Sequence, residues 1–387
     1  MEEIEKYISE KHYEEAIQSC ILNNLNNLGL LLGHVKYSQS EYILQQIQTK
    51  EKIVEELLEN SSKNLQLLSE EKETINTTTP VLPLSVGEHV RTIRVKLLCN
   101  WTSSENLRDV WNRMSKGNYT WNNIKLVNDN DPDFFVVCNS PPSGVNPEPS
   151  KTIVFRMEPF MGINKSMYGE WATPDQTKFF KVCYHDSEYN NNEWHLSKTY
   201  NQLKSEVITK NNDLDNVLST VLSSKYHDQG HIKRIDFVKF LESKNFPVHV
   251  FGDNKWGYIN YKGSLPYLEK DNAMFPYKYV FNVENNSIKN YYTEKLIDGI
   301  LAECLVFYSG CYNVKEFIDE KAFFYLELSN FEEDYKKVTN AIKNNLWEER
   351  LPYIKKAKAK ILDYLQFFPR LERIINKTEN KKYEEQV

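Results

Sequence analysis

The first 75 residues read as helix. Tyr13, Ala16, Ile17, Cys20 and Ile21 fall at i, i+3, i+4, i+7 and i+8, one apolar face of a 3.6-residue period. Leu25, Leu28, Leu31, Leu32 and Val35 repeat that spacing. From residue 36 to residue 79 there is neither Gly nor Pro, and Ile43, Ile47, Val54, Leu57, Leu58, Leu65 and Leu68 recur at roughly helical intervals. This predicts a small bundle or a helical hairpin running into a long helix. Residues 77–87 are β-branched, Pro-containing and aperiodic, as a linker is.

Beyond the linker the period changes. Short apolar runs at 93–99, 124–127, 134–138, 152–157 and 179–184 predict buried strands, with a helical spacer at 104–114. Buried strands that alternate with helices predict a parallel sheet covered on both faces. Residues 141–150 are rich in Pro and form a loop. A second unit follows: strands at 217–222, 248–251, 279–283, 305–308 and 323–328, with helices at 231–244, 293–303 and from 331. Two such units predict two Rossmann-like domains facing a cleft. Residues 347–376 read as helix apart from Pro352 and Pro369. The expected organisation is a helical segment at 1–80, α/β domains at 88–205 and 206–345, and a helical tail at 346–387.

Composition narrows the class. Aromatic residues reach 13%, with 24 Tyr and 19 Phe, enough bulk for substantial cores. No apolar run approaches the ~20 residues of a membrane helix. The acidic start, Met1-Glu2-Glu3-Ile4-Glu5, lacks a signal-peptide core. A cytoplasmic location is expected. The six cysteines contain no CxxC pair, so buried free thiols are expected. With 48 basic and 54 acidic residues the net charge is −6, which argues against a general nucleic-acid binder. Residues 1–75 carry 7 basic and 14 acidic residues, and their apolar stripes need a cover. A homodimer through residues 1–80 is one expectation; a bundle packed on its own α/β domains is the other. Two segments imitate metal sites. Asp129-Asn130-Asp131-Pro132-Asp133 lacks the Gly and distant Glu of an EF-hand. His227 and His231 have His-x3-His spacing, with no Cys or third ligand following at zinc spacing. Neither is read as a metal site.

The chemistry concentrates at 277–310. A strand ends in Glu284-Asn285, a polar loop follows, and Thr293 caps a helix that begins Glu294-Lys295. Unpaired N–H groups at a helix N-terminus and the Lys295 charge suit a phosphate, while Glu294 suits a ribose diol. Taken alone, the pattern is equally that of an ordinary capped helix. The run Val283-Glu284-Asn285-Asn286-Ser287, then Tyr291-Tyr292-Thr293-Glu294-Lys295-Leu296, then an apolar strand ending in Gly310 closely resembles the donor-binding motif of the α-1,3/1,4-fucosyltransferases, glycosyltransferase family 10. The resemblance implies a GT-B fold, GDP-fucose as donor, and inversion at the anomeric carbon. It also implies that Asn285, Tyr291, Glu294 and Lys295 line the nucleotide-sugar pocket, with Lys295 on the pyrophosphate and Glu294 on the ribose.

Two upstream stretches extend the resemblance. Leu222-Ser223-Ser224, Arg234 to Leu241, and Val250-Phe251-Gly252 are similar to the family's strand–Ser, Arg–helix–Leu, strand–Gly run. That makes Ser223 a donor contact and Arg234 the pyrophosphate clamp, though outside this context Arg234 reads as a surface helix arginine. The family usually has Asn after the serine; here Ser224-Lys225 follows. Ile153-Val154-Phe155-Arg156-Met157-Glu158-Pro159 resembles the family's Met-Glu-Ser-Pro strand end, which makes Glu158 the general base; alone it reads as a solvated strand-end glutamate. Tyr184-His185-Asp186-Ser187-Glu188 loosely resembles Tyr-Arg-x-Asp-Ser-Asp, so Tyr184, His185 and nearby Trp194 are candidate substrate contacts.

The resemblance spans about residues 90–345 and leaves 1–80 outside. Animal members carry a membrane anchor, and an acidic helical segment in its place suggests a bacterial or large-virus type. The expected function is inverting transfer of fucose from GDP-fucose to a hydroxyl of a glycan or glycoprotein acceptor. No cofactor is required, and a divalent metal is not essential because basic side chains and a helix N-terminus face the diphosphate. The alternatives are a transferase for another GDP- or UDP-sugar, and a non-catalytic scaffold of the same fold with partner-binding helices.

Overall fold

The computed structural model describes residues 91–158, 167–184 and 193–377. The helical segment expected at 1–80, the dimer contact expected of it, and His185 lie outside these residues.

In the first domain, strands form where the short apolar runs stand: β1 (Ile93–Cys99), β3 (Ile124–Leu126), β4 (Phe134–Cys138), β5 (Thr152–Phe155) and β6 (Lys181–Cys183). A short β2 (Thr120–Trp121) pairs antiparallel with β3. The sheet order is β2-β3-β1-β4-β5-β6, and every pairing except that of β2 is parallel. Helix α1 (Ser104–Trp111) starts because the Ser103 hydroxyl accepts from the Asn106 amide at 3.1 Å. It buries Leu107 and Trp111. The helix expected to run to 114 tightens into a 3₁₀ turn, Asn112–Met114. There the Asn112 carboxamide oxygen accepts from the Tyr119 amide at 2.7 Å. A local side-chain bond of this kind competes with helix continuation. A short helix, α2 (Tyr200–Ser205), leads to the second domain.

The second sheet holds β7 (Leu218–Leu222), β8 (Val248–Gly252), β9 (Tyr261–Gly263), β10 (Tyr279–Val283), β11 (Leu305–Ser309) and β12 (Phe323–Tyr325). Its order is β12-β11-β10-β7-β8-β9, all parallel. Counted from β9 this is 3-2-1-4-5-6, the order of dinucleotide-binding sheets. All residues of β10 and β11 are buried, which is why they read as apolar runs broken only by Asn282 and Ser309. The order reverses between β7 and β10, and between β1 and β4 in the first sheet. Crevices for ligands open beyond the carboxyl ends of strands at such reversals. The helices are α3 (Gln229–Ser243), α4 (Asp271–Met274), α5 (Glu294–Leu301) and α6 (Phe331–Lys343). The result is the two-domain Rossmann-like layout of a GT-B fold.

The tail differs from a simple appendage. Helix α7 (Leu346–Lys360) continues through Pro352, although an interior proline removes a helical hydrogen bond. A π-helical turn (Ile361–Leu365) then leads into α8 (Phe367–Ile375). Pro369 sits in the first turn of α8, where an amide has no intrahelical partner to lose. Phe367 packs 4.5 Å from Trp111 and 5.8 Å from Phe155 between ring centroids, and Phe368 packs 5.9 Å from Trp121. Glu372 accepts from the Trp121 indole at 3.1 Å, and the Gln366 amide donates to the Met114 carbonyl at 3.1 Å. The last helix therefore completes the core of the first domain. Burying each phenylalanine contributes about 2–3 kcal/mol.

Cys99, Cys138, Cys183, Cys304 and Cys311 are buried free thiols, as expected. Among the described residues no helix is long and apolar enough to cross a membrane. The acidic turn before β4 is occupied by arginines: Arg91 pairs with Asp133, and Arg94 with Asp129.

Candidate functional site

At the reversal in the second sheet, Ser223 follows the end of β7 and Glu284-Asn285 the end of β10. Arg234, on α3, reaches into this corner. Its guanidinium donates to the Ser223 hydroxyl at 3.0 Å, the Val283 carbonyl at 3.2 Å and the Asn285 side-chain oxygen at 3.3 Å. It is 6% exposed, so it is not the surface arginine its sequence position suggests, and its Nε is buried without a partner. Burial lowers its pKa, against the pull of Glu284 and Glu294. A guanidinium held on neutral acceptors keeps its charge available to an anion. The helix that carries it lies hard against the end of β10. The Gly230 amide donates to the Asn285 carbonyl at 3.0 Å, and a Cβ on Gly230 would stand 1.8 Å from the Glu284 carbonyl oxygen.

Glu284 was not singled out by the sequence, yet the corner is built around it. It is fully buried and accepts from the Thr293 amide and hydroxyl, each at 2.8 Å, and from the Tyr308 hydroxyl at 3.2 Å. It thereby pins the N-cap of α5 to the end of β10. Gly310 makes room for it, since a Cβ there would lie 2.4 Å from the Glu284 Cγ. Burial raises the Glu284 carboxyl above the usual range, opposed by Lys295. The Lys295 ammonium lies 3.5 Å from Glu284 and 3.0 Å from Glu294. Burial works to lower its pKa, and the two carboxylates outweigh that and raise it. Burial pushes Glu294 up, but Lys295 and Lys270 outweigh it and hold the carboxyl well below its ordinary value. Lys270 lies 3.6 Å from Glu294 and 2.9 Å from the buried Asp298. The start of α5 is thus an ordered charge network rather than a lone lysine over a helix end.

The first domain presents Glu158 just past β5. Asn139, left-handed at φ 61° after β4, accepts from the Met157 and Glu158 amides at 2.8 and 3.2 Å and so fixes where Glu158 stands. Glu158 is open to the cleft, but protein crowds it on its other sides. That burial raises its carboxyl above the ordinary value, with Lys295 pulling the other way.

Two cavities meet between these corners. One, of about 540 Å³, is lined by Ser223, Lys225, Arg234, Asn285, Glu294 and Lys295, among others. The other, of about 700 Å³, is lined by Trp101, Asn139, Glu158, Glu193, Tyr291 and Lys295, among others. His195, Tyr267, Leu268, Asn285, Glu294 and Lys295 line both. The first cavity suits an anionic ligand. The second, with a carboxylate and an exposed Trp101, suits a hydroxylated ring.

The structure brings together Glu158, Ser223, Arg234, Asn285, Glu294 and Lys295. Tyr291 belongs to the second cavity, away from the expected nucleotide pocket, and is 3% exposed. Trp194 is 0% exposed and donates to the Lys198 carbonyl at 3.0 Å, so it touches no ligand. Its two neighbours face the cavity instead. Glu193 accepts from the Trp111 indole at 3.0 Å and lies 3.6 Å from the His195 imidazole. Burial acts to raise the Glu193 carboxyl, but His195 and Trp111 hold it below its ordinary value. The Tyr184 hydroxyl donates to the Pro174 carbonyl at 3.2 Å, and Tyr184 lines neither cavity. Lys225 makes no ion pair among the described residues and lines the first cavity.

No family model matches the chain, and no curated protein does. Solved structures do resemble it. A crystal structure of an α1,3-fucosyltransferase aligns over 74% of this chain and 94% of its own, at 15% identity and a TM-score of 0.45. An α1,3-fucosyltransferase structure with GDP-fucose aligns over 76% and 95%, at 16% identity and a TM-score of 0.37. An α-glucosyltransferase in complex with UDP and a 13-mer DNA containing a HMU base aligns over 74% and 99%, at 9% identity and a TM-score of 0.48. At these values the likeness adds nothing to the chemistry read from the chain's own residues.

Proposed function

We infer that the chain is a glycosyltransferase that moves a sugar from a nucleoside diphosphate to a hydroxyl of a glycan or glycoprotein, with GDP-fucose as the donor. The observation that carries this reading is the junction of the two cavities. Arg234 and Lys295 line one, Glu158 lines the other, and Lys295, Glu294 and Asn285 line both. The fucose assignment rests on the sequence resemblance at Glu284 to Lys295.

In this reading the diphosphate lies in the first cavity. The Arg234 fork, the Lys225 ammonium and the Lys295 network at the start of α5 face its charge. The acceptor hydroxyl lies in the second cavity against Glu158. Glu158 takes the hydroxyl proton as that oxygen bonds to the anomeric carbon. The bond from that carbon to the diphosphate oxygen breaks, and the diphosphate leaves with the electron pair. One displacement inverts the centre and needs no covalent enzyme intermediate. Fixed positive groups aimed at the departing charge supply the largest share of such rate enhancements. A raised carboxyl pKa makes Glu158 a stronger base than a solvated glutamate. The scheme asks for no metal.

The test is Glu158→Gln. Turnover should fall by ~10²-fold or more, with GDP binding nearly unchanged. Unchanged turnover in the purified variant removes Glu158 from the role.

A further inference from the structure

His227, Asp228 and His231 have no part in the transfer scheme, and their sequence spacing gave no reason to join them. The start of α3 brings them together. Asp228 is the N-cap, with His227 just before it and His231 in the first turn. One Asp228 oxygen lies 3.4 Å from the His231 Nδ1 and 3.7 Å from the His227 Nε2, and the three ligand atoms all fall within 4.8 Å. We propose that these three side chains hold a transition-metal ion of the Zn²⁺ class, separate from the transfer chemistry, at the rim of the first cavity.

The geometry is near that of a metal centre. Tetrahedral zinc with ligand bonds of ~2.0–2.1 Å spaces its ligand atoms ~3.3–3.4 Å apart. Two of the three edges are close to this value. The third closes by rotation of His227, whose side chain is 65% exposed. The contact given up is the Asp228 amide on the His231 Nδ1, already long at 3.4 Å. Two imidazoles and one carboxylate favour Zn²⁺, Co²⁺ or Ni²⁺ over Mg²⁺ and Ca²⁺, which prefer all-oxygen sites. The His231 ring is held in place at the start of α3, with its side chain only 3% exposed. Arg234 and Lys225 are near enough to bear on His231 and oppose a cation, while Asp228 offsets one of them. Three protein ligands leave a fourth position for water or an anion. His231 also lines the first cavity, which puts the ion at its edge.

The test uses the untagged full chain, stripped with EDTA and titrated with CoCl₂, then with ZnCl₂. The wild-type chain should take up one Co²⁺ with the visible absorption of a four-coordinate ion, and Zn²⁺ should displace it. His227→Ala should weaken binding by more than ~100-fold, beyond what loss of an outer-shell partner causes. Asp228→Asn, which still caps the helix, should weaken binding as well. Both variants should melt like the wild-type chain in EDTA. Absence of the Co²⁺ band in the wild-type chain overturns the proposal. So does equal binding by the wild-type and His227→Ala chains.

Discussion

Gly230→Ala tests the packing that holds the anion-binding corner in shape. On an ordinary helix the change would stabilise by up to ~1 kcal/mol. Here the new Cβ would stand 1.8 Å from the Glu284 carbonyl oxygen, 2.7 Å from the Asn285 oxygen and 2.8 Å from the Asn285 carbon. All three are backbone atoms, so no side chain can swing aside. Reaching even 3.0 Å from the nearest requires α3 and the end of β10 to part by 1.2 Å. That movement breaks the bond from the Gly230 amide to Asn285, now 3.0 Å. Overpacking of this kind costs ~1–3 kcal/mol and the lost hydrogen bond ~1 kcal/mol. A net loss of about 2–4 kcal/mol is expected, opposite in sign to the helix propensity. The corner opens with it. Arg234 is one turn further along α3 and bonds Val283 and Asn285 on the same strand end at 3.2 and 3.3 Å. A displacement near 1 Å can reduce the rate of an aligned site by ~10²-fold. Urea unfolding gives the stability, calorimetric titration with GDP the affinity, and a sugar-transfer assay the rate. If the Gly230→Ala chain is as stable as the wild type and binds GDP equally well, the close approach of α3 to Glu284 is wrong.

Because burial raises the Glu158 pKa, the base becomes protonated at a higher pH than a solvated glutamate. The acid limb of kcat/KM should therefore lie above the usual carboxylate range, and a limb at or below ~4.3 contradicts a base crowded by protein. Lys358 and Glu303 form a buried ion pair at 2.8 Å that ties α7 to the end of α5. Glu303→Gln should destabilise by ~3–5 kcal/mol, and adding Lys358→Met should recover part of that; equal losses in urea unfolding would refute the pair. Phe368→Ala should destabilise by ~3–5 kcal/mol if the tail completes the first core, whereas a loose tail would show almost no change in melting. The homodimer proposed through residues 1–80 predicts that the full chain sediments as a dimer and a chain starting at Leu82 as a monomer; monomers in both cases refute it.

Strand positions were legible because interior strands are buried on both faces. β4 was visible as an unbroken apolar stretch, β5, β10 and β11 as stretches with one polar residue each, and β1 through Leu97-Leu98-Cys99 at its buried end. β9 was not, since Tyr261-Lys262-Gly263 is half exposed and carries no apolar run. The paired residues of β2 equally gave no period to detect. In the site, Glu158, Arg234, Asn285, Glu294 and Lys295 were found through short motifs at strand and helix ends. The residues that position them were not. Asn139 holds Glu158 across 19 residues, and Asp298 holds the His195 amide across 103, and no local pattern encodes partners so far apart. Glu284 did carry a signal, as an acidic residue directly after a strand whose only polar residue is Asn282. Trp194 was taken as a cleft residue, but its indole enters the core, while its polar neighbours Glu193 and His195 face the cavity.

Thermal shift with a panel of GDP, UDP, GDP-fucose and GDP-mannose tests the central claim most directly, because it asks whether the Arg234–Lys295 cavity is a nucleoside diphosphate site. A ligand at 100 times its Kd stabilises by ~2.7 kcal/mol, which in a chain of this size raises Tm by roughly 3–4 °C. GDP and GDP-fucose should give that rise in the wild-type chain and lose most of it in Arg234→Ala. A rise with UDP alone would contradict the donor assignment. No rise with any of the four at millimolar concentration would contradict the account as a whole.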